Sequence, residues 1–139
     1  MAQLIRDVMT PDPLCLDANT TVREAAEQMR AHDIGDVLVT EDRSLRGIVT
    51  DRDIVVRCVA EGRDPSDVTL GSLCSTELAT LSPEDEVGDA VRLMTSKSVR
   101  RIPVIQNQRP VGIVSLGDLA IELDQRSALG HISSSPAQH

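Results

Sequence analysis

The chain has 139 residues, 40% of them hydrophobic and 26% charged, with no Phe, Tyr or Trp. That length excludes two large independent domains and leaves one compact unit, or two small halves sharing an aliphatic core. Twenty-two acids against 14 bases give a net charge of -8, which repels a phosphate backbone, and the missing aromatics remove the platforms on which single strands stack, so composition argues against a nucleic-acid partner.

In chain order, a short extended segment at Leu14-Cys15-Leu16 comes first. Val22, Ala25, Ala26 and Met29 then recur at helical spacing, behind a capping pair formed by Thr21 and Glu24. Val37-Leu38-Val39, the polar turn Glu41-Asp42-Arg43-Ser44 and Gly47-Ile48-Val49 predict a hairpin. A second helix is predicted from near Asp51, with Ile54, Val55, Cys58 and Val59 on one face. Residues 62–69 are polar, contain Gly and Pro, and read as a linker between a first unit at 1–61 and a second at 70–126. The second unit repeats the order: an extended Leu78-Ala79-Thr80, a helix carrying Val87, Ala90, Val91 and Met94 with Asp85 and Glu86 at its positive end, a hairpin through Ile102-Pro103-Val104-Ile105 and Gly112-Ile113-Val114, and a helix from near Gly117 with Leu119, Ala120 and Leu123. From 127 to 139 periodicity stops, and that tail is expected to be disordered.

The two units are copies. Sliding the chain on itself by 65 residues aligns 5–54 with 70–119 without a gap, and nine of the 50 pairs are identical: Leu16/Leu81, Val22/Val87, Ala25/Ala90, Met29/Met94, Val39/Val104, Gly47/Gly112, Ile48/Ile113, Val49/Val114 and Asp53/Asp118. A copy of about 50 residues has one apolar sheet face and two helices to cover, and the other copy is the natural cover.

The sharpest repeated string is Gly-Ile-Val-Thr-Asp-Arg-Asp at 47–53 and Gly-Ile-Val-Ser-Leu-Gly-Asp at 112–118. It has two compatible readings. Thr50 or Ser115 caps a helix start, with Asp53 or Asp118 capping back. The same unpaired N–H groups and positive dipole end attract an anion such as phosphate, beside a carboxylate able to accept both hydroxyls of a ribose. Catalysis finds no support: a P-loop and a nucleophile elbow are both absent, His32 falls on the polar side of the first helix, and His131 and His139 lie in the tail. Cys15, Cys58 and Cys74 are odd in number and widely spaced, which reads as reduced thiols without a metal. The roughly 18 apolar residues of a membrane span, and the apolar stretch of a signal peptide, are not found, so the expectation is a cytoplasmic protein with no membrane partner.

The duplicated strand-helix-strand-strand-helix unit, Val8-Met9-Thr10, Arg101-Ile102-Pro103-Val104 and the two Gly-Ile-Val strings together resemble a tandem pair of CBS (cystathionine-beta-synthase) domains, also called a Bateman module, over residues 4 to 124. The resemblance implies an α/β (α+β) fold in which two β-α-β-β-α motifs pack sheet to sheet about a pseudo-twofold axis. It implies clefts for adenosyl ligands such as AMP, ATP or S-adenosylmethionine as regulatory ligands, no required cofactor, and action in trans on a separate regulated protein. Asp53 and Asp118 would then bind ribose, and Thr50 and Ser115 would meet ribose or phosphate. Thr10, Cys15 and Ile34 in one copy, and Ser75, Thr80 and Val99 in the other, would enclose the base. Arg100 and Arg101 stand where family members often carry a phosphate contact, whereas the first copy has Gly35-Asp36. The cleft served by the arginines is therefore expected to be the better phosphate site, with one nucleotide per chain, unless those arginines are solvated or bridge an acid at the subunit interface. The resemblance also implies a homodimer, a flat disc formed through the second helix of each motif. A ligand-free homodimeric scaffold is the competing reading.

Overall fold

The computed structural model describes residues 3–121. The chain runs α1 (Ile5–Val8), β1 (Thr10–Pro11), β2 (Cys15–Asp17), α2 (Val22–His32), β3 (Asp36–Glu41), β4 (Ser44–Thr50) and α3 (Asp51–Ile54), which continues as a π turn over Val55–Val59. After it come α4 (Leu70–Leu73), α5 (Val87–Lys97), β5 (Arg101–Gln106), β6 (Arg109–Ser115) and a further helix, α6, over the described residues 116–121. Two three-stranded sheets result, ordered β2-β3-β4 and β1-β6-β5. The tail and Leu123 lie outside the described residues.

The two long helices form for the reasons their sequence carries. Thr21 Oγ1 accepts the Glu24 N–H at 3.2 Å at the start of α2, and Val22, Ala25 and Met29 are buried. In α5, Asp89 Oδ2 accepts the Glu86 N–H at 3.0 Å, and Val87, Ala90 and Met94 are buried. Asp85 does not face this helix start as a free charge, because its Oδ2 accepts the Ser82 N–H at 2.8 Å within the preceding turn. Both helices end in a left-handed residue, Asp33 (φ 54°) and Ser98 (φ 55°), which are repeat equivalents. The hairpins turn through Asp42-Arg43 and Asn107-Gln108, all at positive φ, as a twisted two-residue hairpin turn requires.

Each half lends its first few residues to the other. Thr10 and Pro11 pair with Ile113 and Gly112 of β6, while Ser75 bridges Ile48 of β4. Ile5 is fully buried in a cluster with Leu81, Val87, Ile102 and Val114, and Leu70 and Leu73 sit in the opposite cluster with Val22, Val37 and Val49. The hydrogen bonds are reciprocal: Ile5 N–H to Asp85 O (2.8 Å) against Leu70 N–H to Thr20 O (2.9 Å), and Val87 N–H to Gln3 O (2.9 Å) against Val22 N–H to Val68 O (2.8 Å). Every pair is related by the 65-residue offset, which is the pseudo-twofold of the repeat expressed in contacts. The exchange also explains the repeated glycine. A Cβ on Gly47 would stand 2.5 Å from the Ser75 carbonyl oxygen and 2.7 Å from Cys74 Sγ, and one on Gly112 would strike Met9 Sδ.

One expected element does not form. Residues 78–80 are not a strand, and only Leu81 bridges Val104. The equivalent β2 ladder begins with the Leu38 N–H donating to Leu14 O at 3.0 Å. Position 103, the repeat of Leu38, is a proline with no N–H to donate, so the ladder cannot start there. The second helix of the second copy, expected from near Gly117, starts at residue 116.

Candidate functional site

Two large clefts and a smaller groove lie between the halves, and the exchange determines what lines each of the large ones. The wider, about 560 Å³, has Thr50, Asp51, Arg52 and Asp53 of the first copy on one lip. Ser75, Glu77, Leu78 and Ala79, together with Val99, Arg100 and Arg101 of the second copy, form the other lip, and Ile48 contributes from β4. The narrower cleft, about 400 Å³, is its repeat equivalent: Thr10, Asp12, Pro13, Leu14, Cys15, His32, Ile34, Asp36 and Leu38 of the first copy, with Ile113 of the second. Both volumes fall in the range of small-molecule sites, and both clefts are lined by aliphatic walls with a few polar groups.

Thr50 and Asp53 are fixed by each other. Asp53 Oδ2 accepts the Thr50 N–H at 2.9 Å and Thr50 Oγ1 accepts the Asp53 N–H at 3.1 Å, a complete capping box where β4 meets α3. Among the described residues, Asp53 Oδ1 carries no hydrogen bond and remains an available acceptor. Ser115 and Asp118 form the same box at the start of α6, at 3.3 and 3.1 Å.

The sequence-derived site residues divide unevenly between the clefts. Thr50, Asp53, Ser75, Val99, Arg100 and Arg101 come together in the wide one, and Thr10, Cys15 and Ile34 in the narrow one. Thr80 does not join Ser75 and Val99: it lines a separate groove of about 270 Å³ with Arg46 and Gln108, because the segment around it runs without strand pairing. Ser115 and Asp118 do not line the narrow cleft, so the crossing of copies supplies its partner acid to the wide cleft alone. Sequence reasoning missed Asp51, Arg52, Glu77, Leu78, Ala79 and Ser98 in the wide cleft, and Asp12, Pro13, Leu14, His32 and Leu38 in the narrow one. Ile48, Asp51, Arg52 and Ile113 had a signal as members of the repeated string, and Leu14, Leu38, Leu78 and Ala79 as members of the extended and hairpin segments of the two copies.

Electrostatics separate the clefts further. Arg101 is not a free cation, because its Nε pairs with Asp36 Oδ2 across the halves. Positions 36 and 101 are repeat equivalents and open β3 and β5, so the pseudo-twofold sets the first residues of those two strands against each other. Burial pushes the Asp36 carboxyl above its ordinary value; Arg101 pulls it back and the charge on Asp51 pushes it up again. Arg52 and Arg100 make no salt bridge among the described residues. His32 is exposed at the end of α2, on the rim of the narrow cleft. Burial also raises the thiols of Cys15 and Cys74. Such thiols stay protonated near neutrality and make poor nucleophiles. Among the described residues, no three His, Cys, Asp or Glu side chains gather as a metal site, and no helix is long and apolar enough to cross a membrane.

Comparison with known proteins agrees with this architecture. The family model for the CBS domain matches twice, at residues 5–59 and 70–124. The CBS domain-containing protein YhcV of Bacillus subtilis is 37% identical over 126 residues, covering 91% of this chain and 89% of that protein. The crystal structure of Hypoxic Response Protein I, which contains two coordinated zinc ions, superposes with a TM-score of 0.78 at 36% identity, covering 86% of this chain and 98% of the other. A CBS domain pair solved with 5-methylthioadenosine and S-adenosyl-L-methionine superposes with a TM-score of 0.80 at 22% identity, covering 91% and 99% of the two chains, which shows a shared fold.

Proposed function

The chain belongs to the CBS-domain family, of which it carries two copies in tandem, and from that premise we propose that it is a regulatory module that takes an adenine nucleotide into its wide cleft and acts in trans on a separate protein. One observation carries this reading: the wide cleft sets a carboxylate with an available oxygen, Asp53, and the hydroxyl of Thr50 across from the guanidinium of Arg100, within about 560 Å³ of aliphatic-walled space. A ribose diol suits the carboxylate. A phosphate suits the guanidinium, which can donate two parallel hydrogen bonds. Ile48, Leu78, Ala79 and Val99 give an adenine flat apolar contact without aromatic rings. The fold neighbour with two adenosyl ligands supports the ligand class only by analogy of fold.

The narrow cleft has Asp12 and Asp36 and no arginine among its lining residues, so it disfavours phosphate, and the expected stoichiometry is one nucleotide per chain. Assembly follows from the surface. Val55, Val56 and Val59 are 56%, 51% and 58% exposed on the π turn, and Leu116 and Ile121 are 49% and 59% exposed on α6. These are the second helices of the two motifs, and pairing two copies through them covers the patch.

Thermal shift with AMP, ADP, ATP and S-adenosylmethionine tests the reading. A ligand at 100 times its dissociation constant stabilises by about 2.7 kcal/mol, or roughly 8 °C for a domain of this size. No shift with any of them favours the ligand-free scaffold. That alternative has its own supporting observation, since Thr50 and Asp53 already satisfy each other.

A further inference from the structure

The acids and bases of the wide cleft do not offer an arbitrary phosphate chain a good home. Three carboxylates line it, Asp51, Asp53 and Glu77, against three guanidiniums, Arg52, Arg100 and Arg101. The last is already engaged, because Asp36 reaches across from the narrow cleft to hold it. Asp36 is also well covered, with 19% of its side chain exposed, so its charge acts on the cleft through little intervening water. A monophosphate can be met by Arg100 alone. Arg52 stands between Asp51 and Asp53, which offset its charge, so each further phosphate adds negative charge that must either draw Arg101 away from Asp36, leaving a covered carboxylate unpaired, or sit among three carboxylates with only that offset guanidinium to meet it.

We propose that Asp36 is the residue that sets phosphate-charge selectivity in the wide cleft: by holding Arg101 it makes the cleft a monophosphate site that discriminates against the triphosphate. This rests on the nucleotide reading above and adds the ligand's charge class and the residue that imposes it. Asp36 acts through Arg101, as a positioning residue, and does not itself touch the ligand.

The test is calorimetric titration of the full chain with AMP and with ATP at fixed ionic strength, for the natural protein and Asp36→Asn. The natural protein binds AMP more tightly than ATP. Asp36→Asn releases Arg101 and improves ATP binding about fivefold relative to AMP, a ratio that shrinks as salt rises. A merely structural role would weaken both ligands together, leaving the ratio unmoved, and that outcome overturns the inference while the nucleotide reading stands. If neither nucleotide binds either protein, the nucleotide reading fails and takes the inference with it. Should Asp36→Asn not fold, the exchanged pair Asp36→Arg with Arg101→Asp keeps the salt bridge and places a fourth carboxylate in the cleft. It is expected to lower ATP affinity about fivefold more than AMP affinity, and an unchanged ratio there likewise overturns the proposal.

Discussion

Replacing Gly47 by alanine tests the exchange of segments and the cleft built on it in one step. The new Cβ would lie 2.5 Å from the Ser75 carbonyl oxygen, 2.7 Å from Cys74 Sγ and 3.1 Å from Cys74 Cβ. A carbonyl oxygen on the main chain cannot swing aside as a side chain can, so the segment over β4 must move. That movement breaks the reciprocal Ile48–Ser75 hydrogen bonds, 3.3 and 3.2 Å long, at about 1 kcal/mol each, and adds an overpacking cost of about 1 to 3 kcal/mol. The expected loss is about 3 to 5 kcal/mol, or roughly 10 to 17 °C in Tm for a chain of this length. At Gly112 the nearest atom is the flexible Met9 sulfur and the main-chain oxygen, that of Thr10, is 3.1 Å away, so Gly112→Ala is expected to cost only about 1 to 2 kcal/mol. Because Ser75, Glu77, Leu78 and Ala79 wall the wide cleft, Gly47→Ala also weakens ligand binding there, whereas Gly112→Ala leaves it largely intact. Differential scanning calorimetry reads the first effect and titration the second. Equal Tm losses within about 1 °C, or a Gly47→Ala protein as stable as the natural one, would refute the packing argument.

Gly88 sits in the first turn of α5 with only the end of the Arg92 side chain, at 3.5 Å, near its missing Cβ. Gly88→Ala is therefore expected to stabilise by about 0.5 kcal/mol, read as a rise of roughly 2 °C. Asp36 supplies a pH test. Its folded-state pKa is raised, so its stabilising contribution is present in acid and is lost as pH rises through that value. The Tm of the natural protein minus that of Asp36→Asn should then increase between about pH 6 and about pH 4; a decrease would mean that Arg101 outweighs burial. Val59→Glu, on a residue that is 58% exposed, is expected to leave the monomer fold intact and reduce the light-scattering mass from about twice 15.0 kDa to 15.0 kDa. A mass of 15.0 kDa for the natural protein would contradict the dimer.

Much of the fold was legible because its signals are local. Helical spacing at Val22, Ala25 and Met29, the paired hydroxyl and acid at 50/53 and 115/118, and the turns at 42–43 and 107–108 each declare themselves within a few residues. What was not legible depends on which copy a segment packs against. An alignment at offset 65 pairs Ile5 with Leu70 whichever core each enters, so the exchange that buries Ile5 among second-copy residues leaves no trace in it. The composition of the clefts follows from that exchange. For this reason Asp53 stands with Ser75 and Arg100, not with Thr10 and Cys15. The absent strand at 78–80 was readable in retrospect from Pro103, whose missing donor matters only once the partner strand is known. The ion pair between positions 36 and 101 had a partial signal, since opposite charges occupied one repeat position, but nothing in the sequence brings repeat equivalents face to face.

The central claim is that the nucleotide site is assembled crosswise, its acid from the first copy and its arginine from the second. Titration of AMP into Asp53→Ala and Asp118→Ala tests it most directly. The account predicts that Asp53→Ala loses binding at least tenfold, equivalent to about 1.4 kcal/mol, while Asp118→Ala binds one AMP per chain as the natural protein does. Loss of binding in Asp118→Ala with retention in Asp53→Ala would contradict it.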